Sequence, residues 1–361
     1  MKRKLNVLMI SATVKVGGGP IQMLILSEQL INKVNTFFAI PKSNQFSKKI
    51  NNKNSFYIKE RSISLIELFK LKRFIEFHRI DIIHAHGKGA GLIGRLLKLL
   101  TNKPLIYTFH GFHIKCHNFL YKSLYIIYEN LFGLLDNKKI FVSKSEKRYA
   151  SKFLFFLGKN FSIINNSVNN MEFIYDIGNK RKIDCLLGSN KKIILSISRL
   201  VDQKNIPEII RIASILNSYN FLIIGDGPNL DQISLMISEN KIKNVYLIGL
   251  KKNIYDYLYG SDIFLTTSIY EGLPMSVLEA MSVGLPIIAS NVIGNKDTIE
   301  HKKSGFLYEL GDIKRASYFI EKILKDDELK EKFSRNSFKR QRKLFSHNRM
   351  VSAYLSIYEC Y

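Results

Sequence analysis

A chain of 361 residues exceeds what one hydrophobic core usually covers, which sets an expectation of two domains of about 150–200 residues each. Its hydrophobic share of 46% and charged share of 24% are those of a folded globular protein and argue against disorder. Three cysteines, Cys116, Cys185 and Cys360, are odd in number and far apart, which argues against a disulfide framework and for a reducing compartment. The formal net charge of +25 sits mostly in the first half: residues 1–179 carry 28 Lys and Arg against 10 Asp and Glu (+18), and residues 180–361 carry 27 against 20 (+7). Such a field attracts nucleic acid, anionic lipid or phosphorylated ligands without choosing among them. The abundance of Lys, Asn and Ile throughout offers compositional bias as a plainer source.

The chain opens on MKRKLNVLMISA, whose basic start resembles a signal peptide. Its apolar run is only about eight residues and no A-x-A site follows, so it reads as a first buried strand. From there, short apolar runs alternate with longer helix-period stretches, the pattern of βα units around parallel sheets. Strands are expected at 5–10, 36–40, 81–85, 104–109, 139–143 and 161–164, then at 192–198, 220–225, 244–249, 262–267 and 285–290. The most apolar segment, FLYKSLYIIYENLFGLL (119–135), is interrupted by Lys122 and Glu129 and falls short of the roughly twenty residues of a membrane span. Residues 165–191 are polar and carry no clear strand, which places a linker near 176–190. The expectation is two similar doubly wound α/β domains, 1–180 and 181–361, with a cleft between them and ligands beyond the carboxyl ends of the strands.

Several strand exits carry residues suited to chemistry. After the first strand, SATVKVGGGPIQML puts three glycines ahead of Pro20, a proline suited to the first helical position. The loop could cradle an anion or a sugar at free helix N–H groups, although it is neither GxGxxG nor a Walker loop and a plain turn also explains it. IIHAHGKG (82–89) and YTFHGFHIKCH (107–117) put histidines at strand ends. His110, His113, Cys116 and His117 suggest zinc, but no second spaced pair follows, and no metal is expected. His110, just before Gly111, suits a hydrogen-bonding role at the cleft, whereas His84 and His86 are equally explained by packing. In the second half, Arg199 follows a strand and Lys204 stands five residues on. As a pair ahead of the Gly-rich turn IIGDGP (223–228), they could hold a diphosphate as its charge develops. The stretch SIYEGLPMSVLEAMSVGLPIIAS (268–290) reads as an exit loop and then a helix from about Pro274 to Gly284. Glu271 then hangs at the helix's positive end and Glu279 lies two turns in, so that two carboxylates for hydroxyls would flank free amides for a phosphate. A dipole-favoured Glu followed by an incidental one is the plainer explanation.

E-G-L-P-M-S-V-L-E-A-M-S-V-G-L-P-I-I-A-S, with I-G-N-K-D-T-I and K-S-G-F-L-Y after it, resembles the E-x7-E region of retaining glycosyltransferases of family 4, which have the GT-B fold. The likeness continues through S-R-L-x4-K (198–204), I-G-D-G-P (224–228), L-I-G (247–249), Y-x-x-S-D-I-F-L (from 259), T-F-H-G (108–111) and the glycine loop (17–19). The resemblance implies that Arg199 and Lys204 contact the nucleotide diphosphate, that Glu279 holds the ribose hydroxyls, and that Glu271 holds the sugar's hydroxyls with the backbone of Gly272, Leu273, Pro274 and Met275 nearby, Pro274 contributing no N–H. It implies further that His110 lies by the sugar, that Gly18 and Gly19 approach phosphate or sugar, that Gly225, Asp226 and Leu250 flank the base, and that the segment from about 344 to 361 packs back on the first domain. Two features depart from the family pattern: G-G-G-P replaces the frequent G-G-A-E, and Pro274 stands where an aromatic is often found. The H-G-F-H segment resembles enzymes of capsule, exopolysaccharide and O-antigen assembly. The expected partners are a nucleotide diphosphate sugar, with UDP favoured, a lipid-linked saccharide acceptor and the anionic inner membrane surface at its cytoplasmic face, with no cofactor and no nucleic acid. The rival readings are a glycoside hydrolase using the Glu pair, a non-catalytic binder of sugar nucleotides, and a nucleic-acid-binding module, for which no recognised motif is present.

Overall fold

The computed structural model describes residues 3–14, 17–42, 50, 52–112, 114, 119–155, 160–173 and 177–361. His113, Cys116 and His117 lie outside these residues, and with them most of the zinc question. The chain divides into two compact units, one of Met1–Ser167 together with His347–Tyr361 and one of Val168–Ser346.

In the first unit the order is β1 (Asn6–Ser11), α1 (Gly18–Leu30), β2 (Asn35–Pro41), β3 (Ser55–Ile58), α2 (Leu65–Phe77), β4 (Ile82–His86), α3 (Lys88–Thr101), β5 (Leu105–Thr108), α4 (Phe119–Leu131), β6 (Lys138–Phe141), α5 (Lys144–Ala150) and β7 (Phe161–Ile163). Among the described residues they form a parallel sheet ordered β3-β2-β1-β4-β5-β6-β7. Its strands are apolar on both faces because helices cover both, as parallel sheets require. Leu8, Ile10, Ile83, Ala85 and Tyr107 face one core, and Val7, Met9, Ile82, Ile106 and Ile140 the other. That second core is closed by the final helix α14 (His347–Tyr358), which contributes Met350, Val351, Tyr354, Ile357 and Tyr358.

The second unit holds α6 (Ile177–Leu187), β8 (Ile193–Ile197), α7 (Ile206–Ile215), β9 (Asn220–Ile224), α8 (Leu230–Glu239), β10 (Val245–Leu247), α9 (Tyr255–Tyr259), β11 (Ile263–Thr266), α10 (Met275–Ser282), β12 (Ile287–Ser290), α11 (Asn295–Thr298), β13 (Gly305–Tyr308), α12 (Ile313–Leu324) and α13 (Asp327–Leu344). Its sheet runs β10-β9-β8-β11-β12-β13, again parallel. Both sheets thus reverse direction beside their first strand, between β1 and β4 and between β8 and β11, and such switch points are where doubly wound folds bind ligands.

The expected strands are present, and two more, β3 and β13, were not anticipated. The stretch expected as a linker at 176–190 instead contains α6. It packs so closely on the end of α9 that a Cβ on Gly260 would stand 3.0 Å from the Asn179 backbone.

Candidate functional site

The clearest cluster lies at the switch point of the second sheet. The segments leaving β8 (198–205) and β11 (267–274) are laced together. The Ile269 amide donates to the Gln203 carbonyl at 2.8 Å, Gln203 Nε2 donates to the Tyr270 carbonyl at 2.9 Å, and the Thr267 hydroxyl donates to the carbonyls of Lys204 (2.9 Å) and Asn205 (3.0 Å). Asn205 itself takes the left-handed conformation (φ 50°), which turns the chain into α7. This lacing brings together two residues 67 positions apart: Lys204 Nζ forms an ion pair with Glu271 Oε1. The same carboxylate oxygen accepts from the Ser268 hydroxyl at 2.7 Å.

Glu271 is buried and supported from beneath. The Ser290 hydroxyl donates to the Ser268 carbonyl at 2.6 Å, Asn295 Nδ2 donates to Ser290, and the Glu271 amide donates to the Ile293 carbonyl at 3.0 Å. Gly294 (φ 87°) lies against it, leaving no room for a side chain. Ser268, Ser290 and Asn295 were not singled out from the sequence. Small polar residues at strand ends carry no periodic signal, and their role emerges only from contact.

The helix after Glu271 begins as expected. Pro274 is the extended N-cap residue of α10, and among the described residues no side-chain hydrogen bond caps this end. Gly272, Leu273 and Pro274 are buried and Met275 is half-buried. Glu279 lies half-buried in α10, and burial pushes its carboxyl up to about 7. Tyr255 on α9 is raised to about 12, first by its own burial and then by Glu279, which places the two as neighbours. Among the described residues no hydrogen bond or ion pair joins Glu279 or Arg199 to the Lys204–Glu271 pair, and Arg199 is exposed.

The turn after β9 is pressed against the exit of β8. A side chain on Gly225 (φ 147°) would collide with the Ser198 carbonyl, and one on Gly227 with that of Leu200. The amides of Ser198 and Leu200 donate to the carbonyls of Ile224 and Asp226 at 2.9 Å. The glycines therefore set Asp226, which is exposed, beside Arg199. Leu250, also exposed, follows Gly249, whose carbonyl accepts from the Gly225 amide at 3.1 Å.

In the first unit, Gly17 is the extended N-cap of α1, Gly18 is exposed, and Gly19 rests on His110, with room for a Cβ only 3.3 Å from the imidazole. His110 holds φ 56°, unusual for a residue with a side chain. Glu146 fixes the loop that carries it. One of its carboxylate oxygens accepts from the amides of Gly111 (2.5 Å) and Phe112 (2.8 Å), and the other from Val142 (2.7 Å). The carboxyl is wholly buried, and desolvation outweighs these amides, pushing it up to about 7. Behind His110 runs a chain of rings. His110 Nε2 lies 2.9 Å from His86 Nδ1, the rings of His86 and His84 are 4.0 Å apart, and His84 bonds the Tyr358 hydroxyl (2.6 Å) and Thr108 (2.9 Å). Burial lowers all three imidazoles, His84 to about 3 and His110 to about 4, so they are neutral near pH 7. Among the described residues, His110 Nδ1 is buried without a hydrogen-bond partner. Glu146 was not singled out from the sequence: a lone Glu in SEKRYA looks like any first-turn acid.

Two doubly wound units of parallel strands, each with its glycine-bearing turns at the carboxyl edge of its sheet, define the GT-B class. HepE of Anabaena, solved in complex with UDP-glucose, superposes with a TM-score of 0.86 at 16% identity over 99% of this chain and 100% of that one. Residues 17–170 match the model of Glycosyltransferase Family 4 and residues 180–340 that of Glycosyl transferases group 1, and the chain belongs to the family 4 glycosyltransferases. Among curated relatives it is 29% identical to the UDP-Gal:alpha-D-GlcNAc-diphosphoundecaprenol alpha-1,3-galactosyltransferase of Escherichia coli, over 76% of this chain and 75% of that protein. It is 28% identical to the capsular polysaccharide biosynthesis glycosyltransferase CapM of Staphylococcus aureus, over 80% of each.

Proposed function

We propose that this glycosyltransferase moves a hexosyl or N-acetylhexosaminyl group from a nucleotide diphosphate sugar, a UDP-sugar by preference, to a hydroxyl of a lipid-linked saccharide, retaining the anomeric configuration, in capsule, exopolysaccharide or O-antigen assembly. The observation that carries the reading is the Lys204–Glu271 pair, held by two laced loops at a sheet switch point beside the uncapped start of α10. The relatives support the chemistry of donor and acceptor: one is named for a UDP-galactose donor and a diphosphoundecaprenol-linked acceptor, the other for capsule synthesis.

In this reading Lys204, Arg199 and the first amides of α10 receive the diphosphate. The bond from the anomeric carbon to the diphosphate oxygen breaks, the acceptor oxygen bonds to that carbon from the same face, and the acceptor's proton passes to the departing phosphate oxygen. Cations and amides aimed at that oxygen lower the barrier as charge gathers on it. Glu271 accepts from the sugar's hydroxyls and Glu279 from the ribose, while Gly225, Asp226 and Leu250 flank the base. His110, neutral and with Nδ1 free to bond, serves the sugar with Gly18 and Gly19. Because the chain carries its greatest positive charge in residues 1–179, we place it at the cytoplasmic face of the inner membrane, where each basic residue near anionic lipid contributes on the order of 1 kcal/mol. No helix among the described residues is long and apolar enough to cross a bilayer.

The test is transfer by the Glu271→Gln and Lys204→Met variants, checked for fold by circular dichroism. Each should lose about a hundredfold or more in kcat/KM, as removal of a group serving the developing charge does. Turnover near that of the unaltered enzyme would reject the assignment.

A further inference from the structure

Helix α4 is apolar on both sides: Tyr125, Ile126 and Tyr128 pack inward against the core, and a second set of apolar side chains faces outward. Its buried side chains include Glu129 and Asn130, both polar, whereas Phe119, Leu120, Leu124, Ile127 and Leu131 are between 54% and 84% exposed. Leu120, Leu124, Ile127, Leu131 and Leu134, the last in the 3-10 turn Phe132–Leu135, recur at i, i+4, i+7, i+11 and i+14 and so form one continuous stripe. The orientation is pinned from within. Arg95 of α3 donates to Glu129 and Asp136 at 2.8 Å, and Asn130 bonds the backbone of Phe153 and Phe155 at 2.8 Å. Turning the helix over would strand those charges in the core, so the apolar face cannot be hidden by rotation. Phe155, 78% exposed, extends the patch beside the helix, and on α3 Leu92 and Leu99, one turn to either side of Arg95, are exposed as well.

The charge around this stripe identifies its occupant. From residue 82 to residue 171 the sequence has thirteen Lys and Arg and three acids, Glu129, Asp136 and Glu146. All three acids are buried, at 2%, 4% and 0% exposure, so this stretch presents no carboxylate to solvent, while Lys144, Arg148 and Lys152 are exposed. A second copy of the chain would set cations against cations. A bilayer with anionic headgroups accepts both an apolar stripe and the cations around it, as interfacial helices do.

We propose that the outward face of α4 is the surface by which the protein seats on anionic lipid, its leucines and Ile127 entering the acyl boundary and the flanking lysines meeting phosphate headgroups. The proposal rests on the membrane placement given above and specifies the surface that carries it. The experiment is cosedimentation of full-length protein with phosphatidylcholine vesicles containing or lacking phosphatidylglycerol, comparing the unaltered chain with the Leu124→Glu/Ile127→Glu variant and with Leu235→Glu, an exposed leucine of α8. Binding should require phosphatidylglycerol, fall about tenfold or more in the double variant and hold in Leu235→Glu. Equal sedimentation of the double variant, binding indifferent to phosphatidylglycerol, or a dimer that the double substitution dissociates would each overturn the proposal. Transfer to a short-chain, water-soluble acceptor separates this from the enzymatic reading. The double variant should keep that activity, and its absence from the unaltered protein would count against the function while leaving the lipid result standing.

Discussion

Glu279 combines an ionisable group with a site that penalises its charge. Its carboxyl is moved by burial from an ordinary 4.5 to about 7 in the folded protein. Between those values the native state keeps a proton that the unfolded chain has lost, so stability declines as pH rises across that window, and the full cost persists above it. Glu279→Gln should therefore raise the melting temperature by several degrees at about pH 8 and leave it unchanged at about pH 4. The same variant should bind UDP more weakly if Glu279 holds the ribose hydroxyls, so stability and affinity would move in opposite directions. Equal melting shifts at both pH values would contradict the burial argument, and calorimetric titration with UDP reports the affinity. Glu271 shows the opposite solution to burial, because its charge is met by Lys204 and by the Ser268 hydroxyl.

At the scale of elements, the support beneath Glu271 depends on one glycine turn. A methyl group on Gly294 would lie 2.7 Å from the Glu271 Cβ, in a backbone conformation (φ 87°) that side chains resist. Gly294→Ala should cost about 2 kcal/mol or more and weaken donor binding, since the displaced atom belongs to Glu271, the residue we propose to hold the sugar. Gly311 has a similar φ of 90° but open space around it, so Gly311→Ala should show the conformational cost alone and leave donor binding intact. Denaturant melts with UDP-sugar titrations on both variants would separate the two effects. The elements also show what a one-dimensional pattern reveals. Strands buried on both faces read as apolar runs, and those runs located the interior of each sheet. The two strands missed, SFYI of β3 and GFLY of β13, are four residues long and sit at sheet edges. Helix α6 reads as a linker in the sequence because N-K-R-K-I-D offers little apolar periodicity; Ile183 is its principal anchor. At the site, glycines, cations and carboxylates at strand exits are legible, whereas the joining of Lys204 to Glu271, 67 residues apart, is not, since it depends on β8 and β11 lying side by side in the sheet.

On the scale of the whole molecule, the first unit is discontinuous in sequence and the second is not. Residues 347–361 close a core otherwise built from residues before 168, and Tyr358 bonds the innermost histidine of the ring chain behind His110. Truncation after Ser346 would leave that core open on one face. The truncated protein should lose the protease resistance of its first unit while its second unit still binds UDP, and limited proteolysis with calorimetric titration would show both. Uptake of UDP lost together with the first unit would mean that the units do not fold separately. The same discontinuity orders events on the ribosome. Residues 168–346 can fold as soon as they emerge, whereas the earlier-made portion must wait, its apolar sheet face exposed to chaperones, until residues 347–361 leave the exit tunnel.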